Sequence, residues 1–272
     1  MAIPQGSDVA IAAKRGDVKR LYEARPPATN AHRRGPVGPS VKMRIAFVLA
    51  SVLALSGSAA VGAGLAKATT VDLARLRGPK PDTVELHRDG GRATAGKDDP
   101  RKLSSGVVAR SGYDYVDIDA YVGTDDEWNA LVSCVQSKYA GYGVDIVEHA
   151  PAKGNFVLAM VGGSSMTLGF DETVHGIAPW NGKVIDHAVA FVFQPPEASA
   201  ATMCETTAHE IGHALGLDHS RDCSDIMSYE ACGEKEFRPE ASPCGEWEDR
   251  ACGTGVERQN TDAELAHRVG RR

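Results

Sequence analysis

Between His209 and His219 the sequence reads HEIGHALGLDH, a spacing of residue types that can hold a metal ion and use it. His209 and His213 stand four apart, so on a helix both imidazoles face one side about one turn from each other, close enough to share one metal. Gly216, three residues past His213, can adopt a left-handed backbone, end the helix and let the chain turn back to offer His219 as a third ligand. Three neutral imidazoles leave a tetrahedral Zn2+ with one open position, which water fills. Zinc lowers the pKa of that water to about 7. Glu210, beside the first ligand, stands where a general base can take the proton during attack on a carbonyl and later hand it to a leaving amine. The chemistry is peptide-bond hydrolysis without a covalent intermediate. A purely structural zinc site is usually closed by a fourth protein ligand and has no need of a carboxylate at this position. That argues against the rival reading, a catalytically silent, zinc-stabilised extracellular binding domain.

A helix must carry the first two ligands, and Ser199 to Leu217 supplies good helix formers behind a Ser199 cap. Upstream, Tyr115 to Val122 alternates apolar residues with Asp, the pattern of a half-buried strand. Asp125 to Tyr139 reads as a helix with an acidic first turn and with Trp128, Leu131, Val132 and Val135 at helical spacing. Val144 to Val147, Phe156 to Val161 and Val189 to Phe193 are short β-rich runs, and Asn260 to Val269 reads as a closing helix. This order predicts an α+β fold with one mixed sheet and helices packed against it.

Charge is divided unevenly along the 272 residues: positions 1–110 hold 19 Lys and Arg against 9 Asp and Glu, and positions 111–272 hold 11 against 27. A phosphate-backbone grip rests on clustered Lys and Arg, so the acidic part excludes nucleic acid as a partner. All six cysteines (Cys134, Cys204, Cys223, Cys232, Cys244 and Cys252) lie in that acidic part, with no CxxC pair. An even number so confined fits disulfides in an oxidising compartment. Six cysteines allow 15 pairings, and the spacing does not choose among them.

Lys42, Met43 and Arg44 precede an apolar run from Ile45 to Leu55, with Ser58-Ala59-Ala60 and Ala66-Lys67-Ala68 as small-x-small cleavage sites. Residues 43–68 therefore read as a secretory signal peptide with Met43 as the translation start, and residues 1–42 as a non-native or disordered extension. A membrane anchor is the competing reading, and either one exports the acidic part. Residues 69–110, polar and rich in Arg, Asp, Gly and Pro, read as a propeptide or linker, which puts the catalytic domain at 111–272. The expected product is a secreted, monomeric enzyme acting on proteins or peptides.

HExxHxxGxxH followed by Asp225-Ile226-Met227-Ser228-Tyr229 resembles the signature and Met-turn of the metzincin clan of zinc endopeptidases. The resemblance implies a zincin-like fold: a mainly parallel, twisted mixed sheet, an active-site helix and a small loop-rich C-terminal subdomain, with one catalytic Zn2+ at the floor of the cleft. It implies Met227 as the apolar floor beneath the metal. Met-Ser-Tyr is similar to astacins and serralysins, where the Tyr binds zinc or stabilises the tetrahedral intermediate, a role that falls to Tyr229. Ser220 and the eight-residue step from His219 to Met227 look like matrixins, although the matrixin cysteine switch is absent. Gly176-Ile177-Ala178-Pro179 resembles the edge strand with which adamalysins hold an extended substrate, and unpaired edge groups can bind a peptide as an added strand.

Two further groups of residues carry metal-ligand types. His149, His175 and His187 with Asp171 and Asp186 offer ligand types for a second, structural Zn2+, but without the His-x-Asp spacing matrixins use. Asp117, Asp119, Asp125, Asp126 and Glu127 offer oxygens for Ca2+, but not at EF-hand spacing, and read better as a solvated strand and helix start.

Overall fold

Short runs of Val, Ile, Leu and Phe form the central sheet of the computed structural model, which describes residues 9–13 and 81–272. The signal segment expected at 43–68, most of the extension 1–42 and residues 69–80 lie outside the described residues. In chain order the elements are β1 (Val9–Ala13), β2 (Thr83–His87), β3 (Gly91–Ala95), β4 (Ser104–Ser105), α1 (Gly106–Ser111), β5 (Tyr115–Ile118), α2 (Asp125–Tyr139), β6 (Asp145–Val147), β7 (Val157–Val161), β8 (Val174–Pro179), β9 (Val189–Val192), α3 (Ala200–Ala214), β10 (Ser242–Pro243), β11 (Arg258–Gln259) and α4 (Thr261–Val269).

The main sheet has the order β1-β8-β9-β7-β2-β6. Strands β6, β2, β7 and β9 are parallel, β8 runs antiparallel to β9, and β1 runs antiparallel to β8. All five residues of β7 are buried, as its unbroken apolar run requires of a strand covered on both faces. Against one face pack Trp128, Leu131 and Val135 of α2 and Met203, Ala208 and Ile211 of α3. On the other face, Val107 and Val108 of α1 and Val116 and Ile118 of β5 meet Leu158, Met160 and Phe191. The two helices are tied to each other by the Cys134–Cys204 disulfide and by the Tyr139 hydroxyl, which donates to the Ala208 carbonyl at 2.8 Å. A capping box starts α2: the Glu127 amide donates to Thr124 Oγ1 while the Thr124 amide donates to the Glu127 carboxylate. Among the described residues, no helix is long and apolar enough to cross a membrane.

The fold is the expected mixed α+β arrangement, but three boundaries differ. The sheet starts well before residue 111: β2 lies inside it between β7 and β6, with Val84 and Leu86 fully buried. The linker reading of 69–110 failed there because the five-residue TVELH strand is flanked by Asp82 and Asp89, and polar neighbours dominate any window wide enough to show a pattern. Next, β5 joins β3 and β4 in a separate three-stranded sheet rather than the main one. Third, Val9–Ala13, inside the extension expected to be disordered or non-native, forms β1 on the outer edge of β8, with Ala12 opposite Gly176 and Ala10 opposite Ala178.

Candidate metal centre

Helix α3 begins at its Ser199 cap, whose hydroxyl accepts from the Thr202 amide at 3.1 Å. It ends in a Schellman turn: Gly216, at φ +93°, donates to the His213 carbonyl and Leu217 to the Gly212 carbonyl. That reversal returns the chain to the helix face. His209, His213 and His219 consequently converge, with His213 Nε2 at 2.9 Å from His209 Nε2 and 3.0 Å from His219 Nε2.

The outer nitrogens decide what this convergence means. His209 Nδ1 lies 2.8 Å from the Ile226 carbonyl, His213 Nδ1 2.9 Å from the Leu217 carbonyl, and His219 Nδ1 2.7 Å from the Glu246 carboxylate. Each of these partners is an acceptor, so each Nδ1 carries the hydrogen and each Nε2 presents a bare lone pair. Three lone pairs aimed at one point repel unless a cation lies between them. Zn–N bonds of about 2.0–2.1 Å in a tetrahedral site need ligand nitrogens spaced within roughly half an ångström of what is found. Burial, reinforced by the neighbouring imidazoles, holds His209 well below its ordinary pKa and His213 down at about 3, so both stay neutral ligands. The residues fit Zn2+.

Glu210 is fully buried, and neither carboxylate oxygen has a hydrogen-bond partner. Burial alone pushes its carboxyl well above the ordinary value. It presses against β8: a Cβ added at Gly176 would sit 2.6 Å from both Cγ and Oε1 of Glu210. Gly176, Ile177 and Ala178 are all buried on this strand, and the outer edge of β8 is the edge that β1 occupies.

Met227 is fully buried with its sulfur against Gly212 of α3, where an added Cβ would meet it at 2.5 Å. Asp225 shapes the turn around it, accepting from the Met227 amide at 3.0 Å and from the Thr261 hydroxyl at 2.8 Å. The Ser220 amide donates to the Met227 carbonyl, which ties the third ligand's neighbour to the Met-turn. Tyr229 lies tilted beside two of these histidines, its ring centroid 4.5 Å from that of His219 and 5.8 Å from that of His209. The disulfides pair Cys134 with Cys204, Cys223 with Cys232 across the Met-turn, and Cys244 with Cys252.

The other candidate ligands are not gathered. Among the described residues, His149, His175, His187, Asp171 and Asp186 form no metal-sized group, and His187 pairs with Asp186. Three of the five candidate calcium carboxylates are engaged elsewhere: Asp117 accepts two bonds from Arg92, Asp125 pairs with Arg88, and Glu127 closes the capping box. Asp218, Cys244 and Cys252 do lie together, but both sulfurs are in a disulfide and are not thiolate ligands. What sequence reasoning missed is Glu246, which sits 27 residues past His219. The one local hint was its position inside the short Cys244 to Cys252 interval.

No curated protein matches the chain's sequence. Among solved structures it is similar to high choriolytic enzyme 1, a hatching enzyme zinc-protease from the medaka fish Oryzias latipes, at 14% identity over 39% of this chain and 44% of that one, with a TM-score of 0.23. It is also similar to myroilysin, at 17% identity over 37% of this chain and 42% of that one, with a TM-score of 0.21. The chain therefore spans less than half the length of either structure. Residues 125–242, from α2 into β10, match the family described as matrixin.

Proposed function

We propose that the chain is a secreted zinc-dependent endopeptidase that cleaves extended protein or peptide substrates. The observation that carries this reading is the pairing of three converging imidazole lone pairs with a buried, unpartnered Glu210 on the next residue of the same helix. His209, His213 and His219 would hold the ion. Zinc, when bound, supplies Lewis acidity at the scissile carbonyl and a water acidic near neutral pH. Glu210 takes the proton from the attacking water and passes it to the departing amine. No protein donor competes for its oxygens, so they are free for that water. Tyr229 would donate its phenol hydrogen to the oxyanion as the carbonyl becomes tetrahedral, a role supported by its ring centroid lying 4.5 Å from that of His219.

The substrate lies antiparallel along β8. Support comes from β1, which forms backbone pairs with Gly176, Ile177 and Ala178 in the manner an extended peptide would. A substrate must replace that strand. Translation from Met43, or signal cleavage near residue 68, leaves the edge of β8 open by either route. Export is supported by the apolar segment 45–55 and by the six cysteines, all of which are paired. The test is cleavage of an unfolded protein by the zinc-loaded chain, by its Glu210→Ala variant and after chelation. Cleavage that needs both zinc and Glu210 supports the reading. Folded, zinc-bound protein inert across a broad peptide library would refute it in favour of a binding domain.

A further inference from the structure

The three ligand imidazoles are held by different kinds of partner. His209 and His213 grow from a regular helix, and their Nδ1 groups meet backbone carbonyls. His219 lies beyond the helix end, on irregular chain, and its Nδ1 meets a side chain instead: Oε1 of Glu246 at 2.7 Å. The same oxygen accepts from Arg250 Nη2 at 2.9 Å. Arg250 also grips Asp218 through two bonds of 2.8 Å, and Asp218 in turn accepts from the His219 amide at 2.8 Å. The bonds thus close a ring that runs from the His219 imidazole through Glu246, Arg250 and Asp218 to the His219 backbone.

We propose that Glu246 is the positioning residue for the third metal ligand, fixing the His219 tautomer and ring orientation, and that the loop closed by Cys244–Cys252 exists to hold it there. The loop is fastened on several sides. The Gly245 amide donates to the His219 carbonyl, the Arg250 amide to the Cys244 carbonyl, and the Gly253 amide to Asp218. Arg221 reaches the Glu246 carbonyl from the far side at 3.1 Å. The Arg250 guanidinium, bonded to the same oxygen, sets a cation beside the Glu246 carboxylate. An ionised acceptor on Nδ1 makes the opposite nitrogen a more basic ligand, and losing such a partner commonly costs about 10–100-fold in metal affinity. The disulfide keeps the loop short, so the carboxylate is already in place when metal arrives.

The inference rests on the zinc reading, and the experiment separates the two. Zinc affinity of the full oxidised chain is measured by competition with a chromogenic chelator, and the visible spectrum of the Co2+-loaded protein reports ligand geometry. Glu246→Ala is expected to weaken zinc binding about 10–100-fold and to alter the cobalt bands, and Glu246→Gln, which keeps an acceptor oxygen, to lose less. Asp249→Ala, on the same loop but facing Arg221, is the control. Unchanged affinity in folded Glu246→Ala overturns the proposal, as does an equal loss in Asp249→Ala, which would assign the effect to the loop as a whole. If Glu246→Ala does not fold, Glu246→Gln decides: a several-fold loss supports the role and wild-type affinity refutes it. Failure of the unaltered chain to bind zinc would instead refute the zinc reading itself.

Discussion

Substituting Gly176 tests whether the substrate strand and the proposed base are one mechanical unit. A Cβ at Gly176 would stand 2.6 Å from Cγ and Oε1 of Glu210, whereas ordinary contact begins at 3.4 Å, so restoring ordinary contact needs a shift of 0.8 Å. Glu210 is fully buried, and its Cγ is not the free tip of a flexible side chain. Overpacking of this kind costs about 1–3 kcal/mol, which in a domain of this size lowers Tm by about 2–4 °C per kcal/mol. Displacing a catalytic group by about 1 Å costs roughly 100-fold in rate. Gly176→Ala is therefore expected to reduce kcat/KM about 100-fold with a modest fall in Tm, and to leave zinc affinity unchanged because no ligand imidazole is touched. The assay compares kcat/KM on an unfolded protein, zinc affinity and thermal unfolding in the same preparation. Activity within two-fold of the parent would show that β8 and Glu210 are not coupled as described, and lost zinc binding would show that the damage spreads to the ligands.

Other perturbations separate the remaining parts. Removing the N-terminal extension through residue 42 deletes β1 and is expected to raise kcat/KM by lowering KM; equal KM values would mean that β1 does not compete with substrate for β8. Replacing Cys134 and Cys204 by Ser opens a cross-link spanning 70 residues and is expected to cost about 4 kcal/mol, against about 2.5 kcal/mol for the nine-residue Cys223–Cys232 pair. Denaturant midpoints in the reverse order would refute the chain-entropy account. Burial pushes the Asp225 carboxyl from 3.8 up to about 6 against hydrogen bonds from Met227 and Thr261. The folded state therefore holds this proton more tightly than the unfolded chain, so the group's contribution is full below pH of about 4 and is lost as pH rises through about 6, a change of about 3 kcal/mol. Asp225→Asn should remove that slope from unfolding free energies measured across this window, and an unaltered slope would refute it.

Much of the centre was legible because it is local. The i, i+4 histidines and Glu210 share one helix, and Gly216 ends that helix by a turn only glycine adopts cheaply, so four of the central residues follow from eleven consecutive letters. The even cysteine number and the apolar strands were readable for the same reason, since composition and period act over a few residues. Tertiary structure decided the rest. Which cysteines pair depends on how α2 meets α3, and TVELH becomes a central strand only because β7 and β6 flank it. Asp117, Asp125 and Glu127 of the acidic run became ion pairs and a helix cap once Arg88, Arg92 and Thr124 were brought alongside. Glu246 on His219 and Gly176 against Glu210 join residues 27 and 34 positions apart, contacts that no propensity or spacing encodes. Local sequence determined the His209, Glu210 and His213 arrangement and the turn to His219, because helix geometry is a property of neighbouring residues. The fold determined the contacts of those histidines and the pairing along β8, because those are set by packing between distant segments.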